Sequence, residues 1–254
     1  MRKYRTILSV VVIALAAGFL AFNGRQAGQT RPLQAVQTEQ SRIVQDLLKS
    51  DCGNISDAVD EVTGHRGFMH HDMKPVFKTR IAGPAVTVVL RPVLKNDKTE
   101  YPNYNIQVLD EAPPGSVLVY VLEDGMEIAG IGNLMATTAK VRGLAGAVID
   151  GGARDTEDIE RLQFPVFSRS ITPATSVGRL VAVAKQVPVV CAGVEVRPGD
   201  YIVADRDGVV VVPSDKVQRV LEAVKAYDEK ESKMIPIIRQ EKSMLKALAK
   251  YNRY

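Results

Sequence analysis

The sequence predicts a mixed α/β fold, because strand-like and helix-like segments alternate along most of its 254 residues. Short β-branched runs such as Val86–Arg91 and Ser116–Leu122 are typical of buried strands. The segment Tyr104–Ala112, which lies between those two runs, has the apolar spacing of a helix. Residues 197–213 contain two apolar runs that turn at Arg206-Asp-Gly208, which predicts a β-hairpin.

The helices are predicted from apolar spacing, capping residues and terminal glycines. They cover residues 41–48, 55–62, 104–112, 132–142, 156–162 and a charged C-terminal run from residue 214. Either Asn54 or Ser56 can cap the second of them. The strands are predicted from apolar runs bounded by turn residues. They cover residues 86–91, 116–122, a short run ending at residue 131, then 144–149, 165–167, 187–190, 193–196 and the hairpin.

The first 22 residues have the pattern of a leader, with a basic start and an apolar stretch from Ile7 to Phe22. As a helix this stretch would span about 24 Å, less than the roughly 30 Å hydrocarbon core of a membrane. Its length favours a secretory signal peptide, but no good cleavage site follows it, so an uncleaved membrane anchor stays open. A polar linker is predicted over residues 23–40. In both cases we expect the globular part to be exported, either periplasmic or secreted.

The charge distribution argues against a nucleic-acid partner. The chain has a net charge of +4 from 33 basic and 29 acidic residues. Four of the basic residues lie within residues 1–30, which contain no acidic residue, so 29 basic and 29 acidic residues remain. A neutral chain lacks the basic surface of a nucleic-acid binder. We therefore predict no nucleic-acid partner, and membrane contact only through an uncleaved leader.

Several reactive residues have simple structural interpretations. Cys191 lies in an apolar run, which favours a small buried side chain over a disulfide with Cys52, although an exported protein could pair the two. Adjacent His70 and His71 point in different directions, so a solvated loop is favoured over a metal site that would also use Asp72.

Two glycine turns are the most informative features of the chain. An apolar strand ending at Ile149 leads into Asp150-Gly-Gly-Ala-Arg-Asp155, immediately before a helix. Gly132 opens the preceding helix, one helix and one strand earlier. In a right-handed strand–helix–strand unit, both turns emerge at the same edge of the sheet. We therefore expect the helix start at Asn133 to face Arg154 and Asp155 across a crevice.

These residue types suit an anion and a cation together. Arginine binds a carboxylate through two parallel hydrogen bonds, and the free amides of a helix start favour anions. Asp155 offers oxygen to a hard cation such as Mg²⁺, which keeps much of its water and needs few protein ligands. A structural interpretation competes, because Asp155 and Asp158 fit a capping pattern, Arg154 can pair with a nearby acid and Asn133 is a good N-cap. Spacing alone favours neither interpretation.

The two turns resemble the signature of the RraA-like family. That family includes the class II 4-hydroxy-4-methyl-2-oxoglutarate/4-carboxy-4-hydroxy-2-oxoadipate aldolases and the regulator of ribonuclease E activity. The match runs over residues 132–136, 142–143 and 145–155, with further matches at 56–59, 82–87 and 199–213. It covers residues 41–235 and leaves 236–254 as a C-terminal helical tail. The resemblance implies a swivelling β/β/α fold, assembled as homotrimers or hexamers with sites between subunits.

The resemblance also implies residue roles and a reaction. Arg154 resembles the residue that binds a 2-oxo acid, and Asp155 resembles the ligand of Mg²⁺, with Mn²⁺ as the alternative. The turn of Gly132, Asn133, Leu134 and Met135 resembles the one that contacts substrate through backbone amides. The implied activity is a metal-dependent lyase that releases pyruvate from 4-hydroxy-4-methyl-2-oxoglutarate or oxaloacetate through a stabilised enolate. A Schiff-base route is disfavoured, because Lys140 falls on a solvated helix face.

One position departs from the family pattern. The aldolases often carry an acidic residue where this chain has Asn133, and asparagine cannot act as a base. A non-catalytic protein that binds small 2-oxo acids or a protein partner therefore stays open as the alternative. The family aldolases also take an acid from a neighbouring subunit's C-terminal region, for which Glu229 and Glu231 are the candidates.

Overall fold

Strands and helices alternate along the chain in the computed structural model, which describes residues 33–96 and 98–251. The predicted leader, residues 1–22, lies outside the described residues. Within the described ranges, no helix is long and apolar enough to cross a membrane.

The helices are α1 (Leu33–Leu47), α2 (Cys52–Thr63), α3 (Tyr104–Glu111), α4 (Asn133–Val141), α5 (Thr156–Leu162), α6 (Val217–Glu241) and α7 (Met244–Leu248). The strands are β1 (Lys74–Pro75), β2 (Ile81–Pro92), β3 (Val117–Leu122), β4 (Ala129–Ile131), β5 (Gly146–Ala153), β6 (Val166–Ile171), β7 (Leu180–Lys185), β8 (Val189–Cys191), β9 (Val194–Val196), β10 (Tyr201–Ala204) and β11 (Val209–Val212).

A mixed sheet forms the centre of the molecule. Its strand order is β1-β6-β5-β3-β2-β10-β11, with β4 also beside β5 and β7 also beside β2. The central strands β2, β3, β5 and β6 are parallel, while β1, β7 and β10 pair antiparallel with their neighbours. Parallel strands need both faces covered, and β3 is buried along nearly its whole length.

Three apolar clusters cover the sheet and its hairpin. On one face, Leu118, Tyr120 and Leu122 of β3 pack with α3, α4 and α5. On the other face, Val117 and Val119 pack with β8, β9, β10 and β11. The third cluster joins α1, α2 and α6 to the hairpin of β10 and β11. The alternation along β3 is what a strand covered on both faces requires.

The structure differs from the sequence predictions at several boundaries. Helix α1 begins at Leu33, so residues 33–40 of the predicted linker are helical. Helix α2 follows Asp51 and has no side-chain cap; Asn54 instead donates to Asp228 and Glu231 of α6. Helix α6 continues through Pro236, so the boundary predicted at residue 235 falls inside a helix.

The largest difference concerns the second glycine turn. Strand β5 continues to Ala153, so four of the six residues from Asp150 to Asp155 belong to the strand rather than to a turn. Backbone pairing to β6 resumes at Gly152, and small residues fit between closely spaced neighbours there. Arg154 and Asp155 alone connect the strand to α5. The structure also adds β7, which the sequence analysis did not predict.

Candidate functional site at the ends of β4 and β5

The sheet brings the two glycine turns together, as predicted. Strands β4 and β5 are parallel neighbours, and β4 ends at Ile131. The backbone N–H of Arg154 donates to the Ile131 carbonyl at 3.1 Å, so both chain segments leave the sheet side by side. Helix α4 begins directly after Gly132, and α5 begins directly after Asp155. The two segments lie at the carboxyl ends of the strands, where ligands bind in open α/β sheets, and we refer to the surface that they form as the crevice.

Asp155 faces the start of α4 rather than its own helix. Its carboxylate Oδ2 accepts the backbone N–H of Asn133 at 3.0 Å, and it makes no capping hydrogen bond to α5. The competing interpretation, in which Asp155 caps the helix that follows it, is therefore wrong. The backbone of Asp155 is left-handed, with φ 53° and ψ 39°, a conformation uncommon for residues other than glycine. Such backbone strain is concentrated at functional positions.

Arg154 lies beside Asp155 without a tight bond to it. The distance from Arg154 Nε to Asp155 Oδ2 is 3.7 Å, and the two side chains are 41% and 39% exposed. A pair this exposed contributes less than about 1 kcal/mol to stability. The guanidinium can therefore turn toward an anion at little cost, and its fork suits a carboxylate.

Gly132 provides the space for both side chains. A Cβ at this position would lie 2.7 Å from Asp155 Oδ2 and 2.9 Å from Arg154 Nε. The backbone of Gly132 is extended, with φ −146°, so steric space rather than backbone conformation requires glycine here. The site depends on a missing side chain as much as on the charged ones.

The residues after Gly132 present a helix start to the crevice. The first amides of α4 have no partner within the helix, and one of them is taken by Asp155. The Oδ1 atom of Asn133 accepts the Thr137 hydroxyl at 3.1 Å, which leaves the side-chain N–H₂ as its other polar group. Leu134 is 84% exposed, whereas Met135 packs against the core. Residues 132–135 thus present backbone N–H groups and the exposed apolar side chain of Leu134.

Asp155 supplies the carboxylate with which this crevice could bind a metal ion. No group of three or more His, Cys, Asp or Glu residues within the described residues could hold a metal ion. Asp155 Oδ2 is engaged by Asn133, and Oδ1 has no hydrogen-bond partner in the described chain. A single free carboxylate oxygen fits Mg²⁺ or Mn²⁺, whose other positions water and substrate oxygens can fill.

The two candidate acids from the C-terminal region lie on α6 and make no described contact with Arg154 or Asp155 of the same chain. Glu231 accepts Asn54 Nδ2 at 3.1 Å. Glu229 lines a groove between α1 and α6. Their contribution to a neighbouring subunit's site stays a prediction.

The structure assigns other roles to the remaining reactive residues. Asp72 pairs with Arg169 at 2.9 Å, and His70 lies against Gly193. Cys52 and Cys191 are free and buried, as preferred for Cys191, and burial raises the pKa of both thiols, which makes them poor nucleophiles.

Lys140 is exposed on α4, as predicted, and donates to the Gln163 carbonyl at 3.0 Å.

A groove of about 560 Å³ is lined by α2, β9 and the 213–216 segment, and none of the crevice residues lines it.

One charged network near the crevice was not predicted from the sequence. Arg169 of β6 binds Asp72 through Nε and Nη2 and binds Asp150 of β5 through Nη1, at 2.9 to 3.0 Å. The other oxygen of Asp150 accepts the Ala192 N–H at 2.6 Å. The only signal in the sequence is that Asp150 opens the glycine-rich segment.

These features define a mixed α/β protein of the swivelling β/β/α type, with a polar crevice between two strand ends. The RraA-like family model, described as Aldolase/RraA, matches residues 52–211, and the chain belongs to this family.

Relatives and solved structures agree with this assignment. The chain is similar to a putative 4-hydroxy-4-methyl-2-oxoglutarate aldolase of Halalkalibacterium halodurans, 35% identical over 176 residues, which covers 67% of this chain and 76% of the relative. An uncharacterized protein from Pseudomonas syringae pv. tomato superposes with a TM-score of 0.75 and 29% identity, over 83% of this chain and 94% of that one. A Streptomyces coelicolor protein, described as an unusual member of the RNase ES inhibitor RraA protein family, superposes with a TM-score of 0.68 and 29% identity, over 78% and 96%.

Proposed function

We propose that this chain is a divalent-metal-dependent lyase that cleaves a C–C bond of a 2-oxo acid and releases pyruvate. The observation that carries the proposal is the crevice, where the Asp155 carboxylate, the Arg154 guanidinium and the start of α4 converge around Gly132. The names of the relatives support a lyase, since several are named putative 4-hydroxy-4-methyl-2-oxoglutarate aldolases. One from Thermus thermophilus, named 4-hydroxy-4-methyl-2-oxoglutarate aldolase, is 33% identical over 113 residues, which cover 42% of this chain and 65% of the relative.

The chain's own groups bind and orient the 2-oxo acid. Arg154 binds the substrate carboxylate, and the free amides of α4 face the same anion. Asp155 would hold Mg²⁺ or Mn²⁺, which when bound supplies positive charge to the substrate oxygen that becomes the enolate oxygen. As the C–C bond breaks, its electron pair moves into the pyruvate enolate, and a proton from solvent then restores pyruvate. Arg154 and the helix start both favour the negative charge that develops.

Asn133 favours decarboxylation over retro-aldol cleavage. Retro-aldol cleavage needs a base, because the C4 hydroxyl must lose its proton as the new carbonyl forms. Decarboxylation of oxaloacetate needs no base, since the departing carboxylate is already ionised and leaves as CO₂. Asn133 binds Thr137 through its oxygen and presents an N–H₂ group, which cannot take a proton. We therefore propose oxaloacetate-type acids as the better substrates.

The test is pyruvate release by the full-length protein from oxaloacetate and from 4-hydroxy-4-methyl-2-oxoglutarate, with Mg²⁺ and with a chelator. Rates are taken above those of Mg²⁺ alone, because the free ion also decarboxylates oxaloacetate. We expect metal-dependent release from oxaloacetate, and we expect Asn133→Asp to raise release from the hydroxy acid about tenfold or more. A folded protein that releases pyruvate from neither substrate would refute the lyase proposal.

A non-catalytic protein that binds 2-oxo acids is the second proposal, and Asn133 is again its motivation. Calorimetry with oxalate and Mg²⁺ separates the two, since a binder takes up oxalate without turning over substrate. Arg154→Ala is expected to weaken oxalate binding about tenfold or more, because a charge-assisted bidentate contact is lost. Arg161→Ala, which changes an exposed arginine on α5, is the matched control and should bind normally. Equal binding by both variants would exclude Arg154 from the site.

We also propose that copies of this chain assemble around the crevice as trimers or hexamers. Three large apolar side chains are exposed near the same strand ends: Leu134 at the start of α4, Ile171 at the end of β6, and Val177 in the loop after it. Ile171 pairs with Ala153, and Thr175 of the same loop bridges to Ala129 of β4. Exposed apolar groups beside a polar site are typical of a surface that a partner covers.

A further inference from the structure

The end of strand β5 contains a bulge four residues before Arg154. Ile149 pairs with Ser168 and Gly152 pairs with Ser170, so β5 has two residues where β6 has Arg169 alone. Bulges shift one strand against its neighbour and are frequent beside active sites, where they re-aim side chains. Regular pairing resumes at Gly152 and Ala153, and the next two residues are Arg154 and Asp155. The offset at the bulge therefore sets where both charged residues leave the sheet.

A charged network holds Asp150, one of the two β5 residues at the bulge. Asp150 Oδ1 accepts Arg169 Nη1 at 2.9 Å, directly across the bulge. Asp150 Oδ2 accepts the Ala192 N–H at 2.6 Å, which ties the bulge to the β8–β9 turn. Arg169 in turn binds both oxygens of Asp72, in the segment before β1. Arg169 of β6 and the β8–β9 turn thus both hold Asp150, one of the two β5 residues at the bulge, and Asp72 in turn holds Arg169.

The network is mostly shielded from water, which strengthens it. The side chains of Arg169 and Asp150 are 23% and 15% exposed. The hydrogen bonds that Arg169 donates to Asp72 lower the pKa of that carboxyl, and the bonds it donates to Asp72 and Asp150 raise its own pKa, so Arg169 and Asp72 are ionised over the neutral range. Charge-assisted bonds in such surroundings are stronger than neutral ones.

We propose that Asp150 and Arg169 are positioning residues, which fix the β5 bulge and thereby aim Arg154 and Asp155 at the start of α4. This inference rests on the proposed function for its consequence in binding, but its geometric part is independent of any ligand. The hydrogen bond from the Asn133 N–H to Asp155 reports whether Asp155 is correctly placed. Neither positioning residue touches the crevice groups in the described structure.

The decisive experiment measures hydrogen exchange at the Asn133 amide in Asp150→Asn and in wild type. The Val119 amide of β3 monitors global opening, so that lost stability is separated from local displacement. We expect exchange at Asn133 to become about tenfold faster in Asp150→Asn, while exchange at Val119 changes less. Glu123→Gln, which removes an ion pair to Arg91 on the same sheet, is the matched control and should leave Asn133 exchange unchanged.

A second readout connects the network to the crevice. Affinity for oxalate in the presence of Mg²⁺ is expected to fall about tenfold in Asp150→Asn and to stay constant in Glu123→Gln. Arg169→Lys serves if Asp150→Asn does not fold, because lysine keeps the charge but cannot bind both carboxylates, and it should give a smaller change in the same direction.

The outcomes separate this inference from the proposed function. Normal Asn133 exchange in folded Asp150→Asn or Arg169→Lys would overturn the positioning role, and so would equal acceleration at Asn133 and Val119. If wild type binds no oxalate while Asn133 exchange still responds to Asp150→Asn, the proposed function fails and the positioning role stands.

Discussion

For single residues, the crevice depends on side-chain groups that are absent at Gly132 and Asn133 as well as on the charged groups that are present. Gly132 has no side chain, and this absence leaves room for Arg154 and Asp155. Asn133 carries an amide where the family aldolases often carry an acid, and we propose that this difference favours decarboxylation over retro-aldol cleavage. The backbone of Asp155 is left-handed, and its carboxylate binds the start of α4 instead of the start of its own helix, α5.

Gly132→Ala tests the steric role of the glycine. The added methyl group would lie within 3 Å of both charged side chains and would displace them, so we expect oxalate binding in the presence of Mg²⁺ to fall about tenfold or more. The free energy of unfolding should change by less than about 1 kcal/mol, because the backbone is extended there. Gly53→Ala, at an open position in α2, is the control. Normal oxalate affinity in Gly132→Ala would contradict the geometry described for the crevice.

At the scale of elements, the sequence predicts the order of strands and helices better than their ends. Continuous apolar runs identify β3 and the two strands of the hairpin, and apolar spacing identifies α3. The extension of β5 through Asp150–Ala153 could not be predicted, because glycines indicate a turn unless a partner strand is known to pair with them. Strand pairing depends on which distant segment lies beside β5, and a local sequence pattern does not contain that information. The hydrogen bond from the Asn133 N–H to Asp155 likewise joins residues that are distant in the sequence.

The ion pair between Arg169 and Asp72, which joins two elements, also predicts that stability depends on pH. Hydrogen bonds from Arg169 of β6 hold the pKa of Asp72 below its usual range. A lowered pKa in the folded state stabilises the protein above the unfolded pKa of about 4, and this contribution is lost as the pH falls through the folded value. We expect Asp72→Asn to lower the free energy of unfolding by about 1 kcal/mol near pH 6 and by less near pH 3. Urea unfolding at both pH values measures this, and an equal loss at both would show that ionisation of Asp72 is not the cause.

At the scale of the whole molecule, the crevice of a single chain is open and bordered by exposed apolar side chains. The family resemblance identified the paired turns and their residues from the sequence alone, because Gly132, Arg154 and Asp155 lie in short contiguous segments. The charged network at Asp150 was not predicted, because its partners Asp72 and Arg169 are far apart in the sequence and only the fold brings them together.

Assembly can be tested through Leu134. We expect the full-length protein to form trimers or hexamers in light scattering after size-exclusion chromatography, and we expect Leu134→Glu to shift it toward smaller species, because a charge would replace an apolar contact. Leu245→Glu changes a similarly exposed residue on α7 and is the control. If wild type is a monomer, or if Leu134→Glu assembles as wild type does, the crevice is not at a subunit contact formed by this side chain.

The central claim is that Asp155 makes the crevice a metal-dependent site for a 2-oxo acid. Its most direct test is the rate of pyruvate release from oxaloacetate, above the rate with Mg²⁺ alone, by Asp155→Asn and by Asp158→Asn. We expect a loss of about a hundredfold or more for Asp155→Asn, because a neutral amide binds Mg²⁺ poorly. We expect near wild-type release for Asp158→Asn, which changes a residue three positions further along α5. Metal-dependent release that survives intact in Asp155→Asn would show that Asp155 does not hold the metal ion.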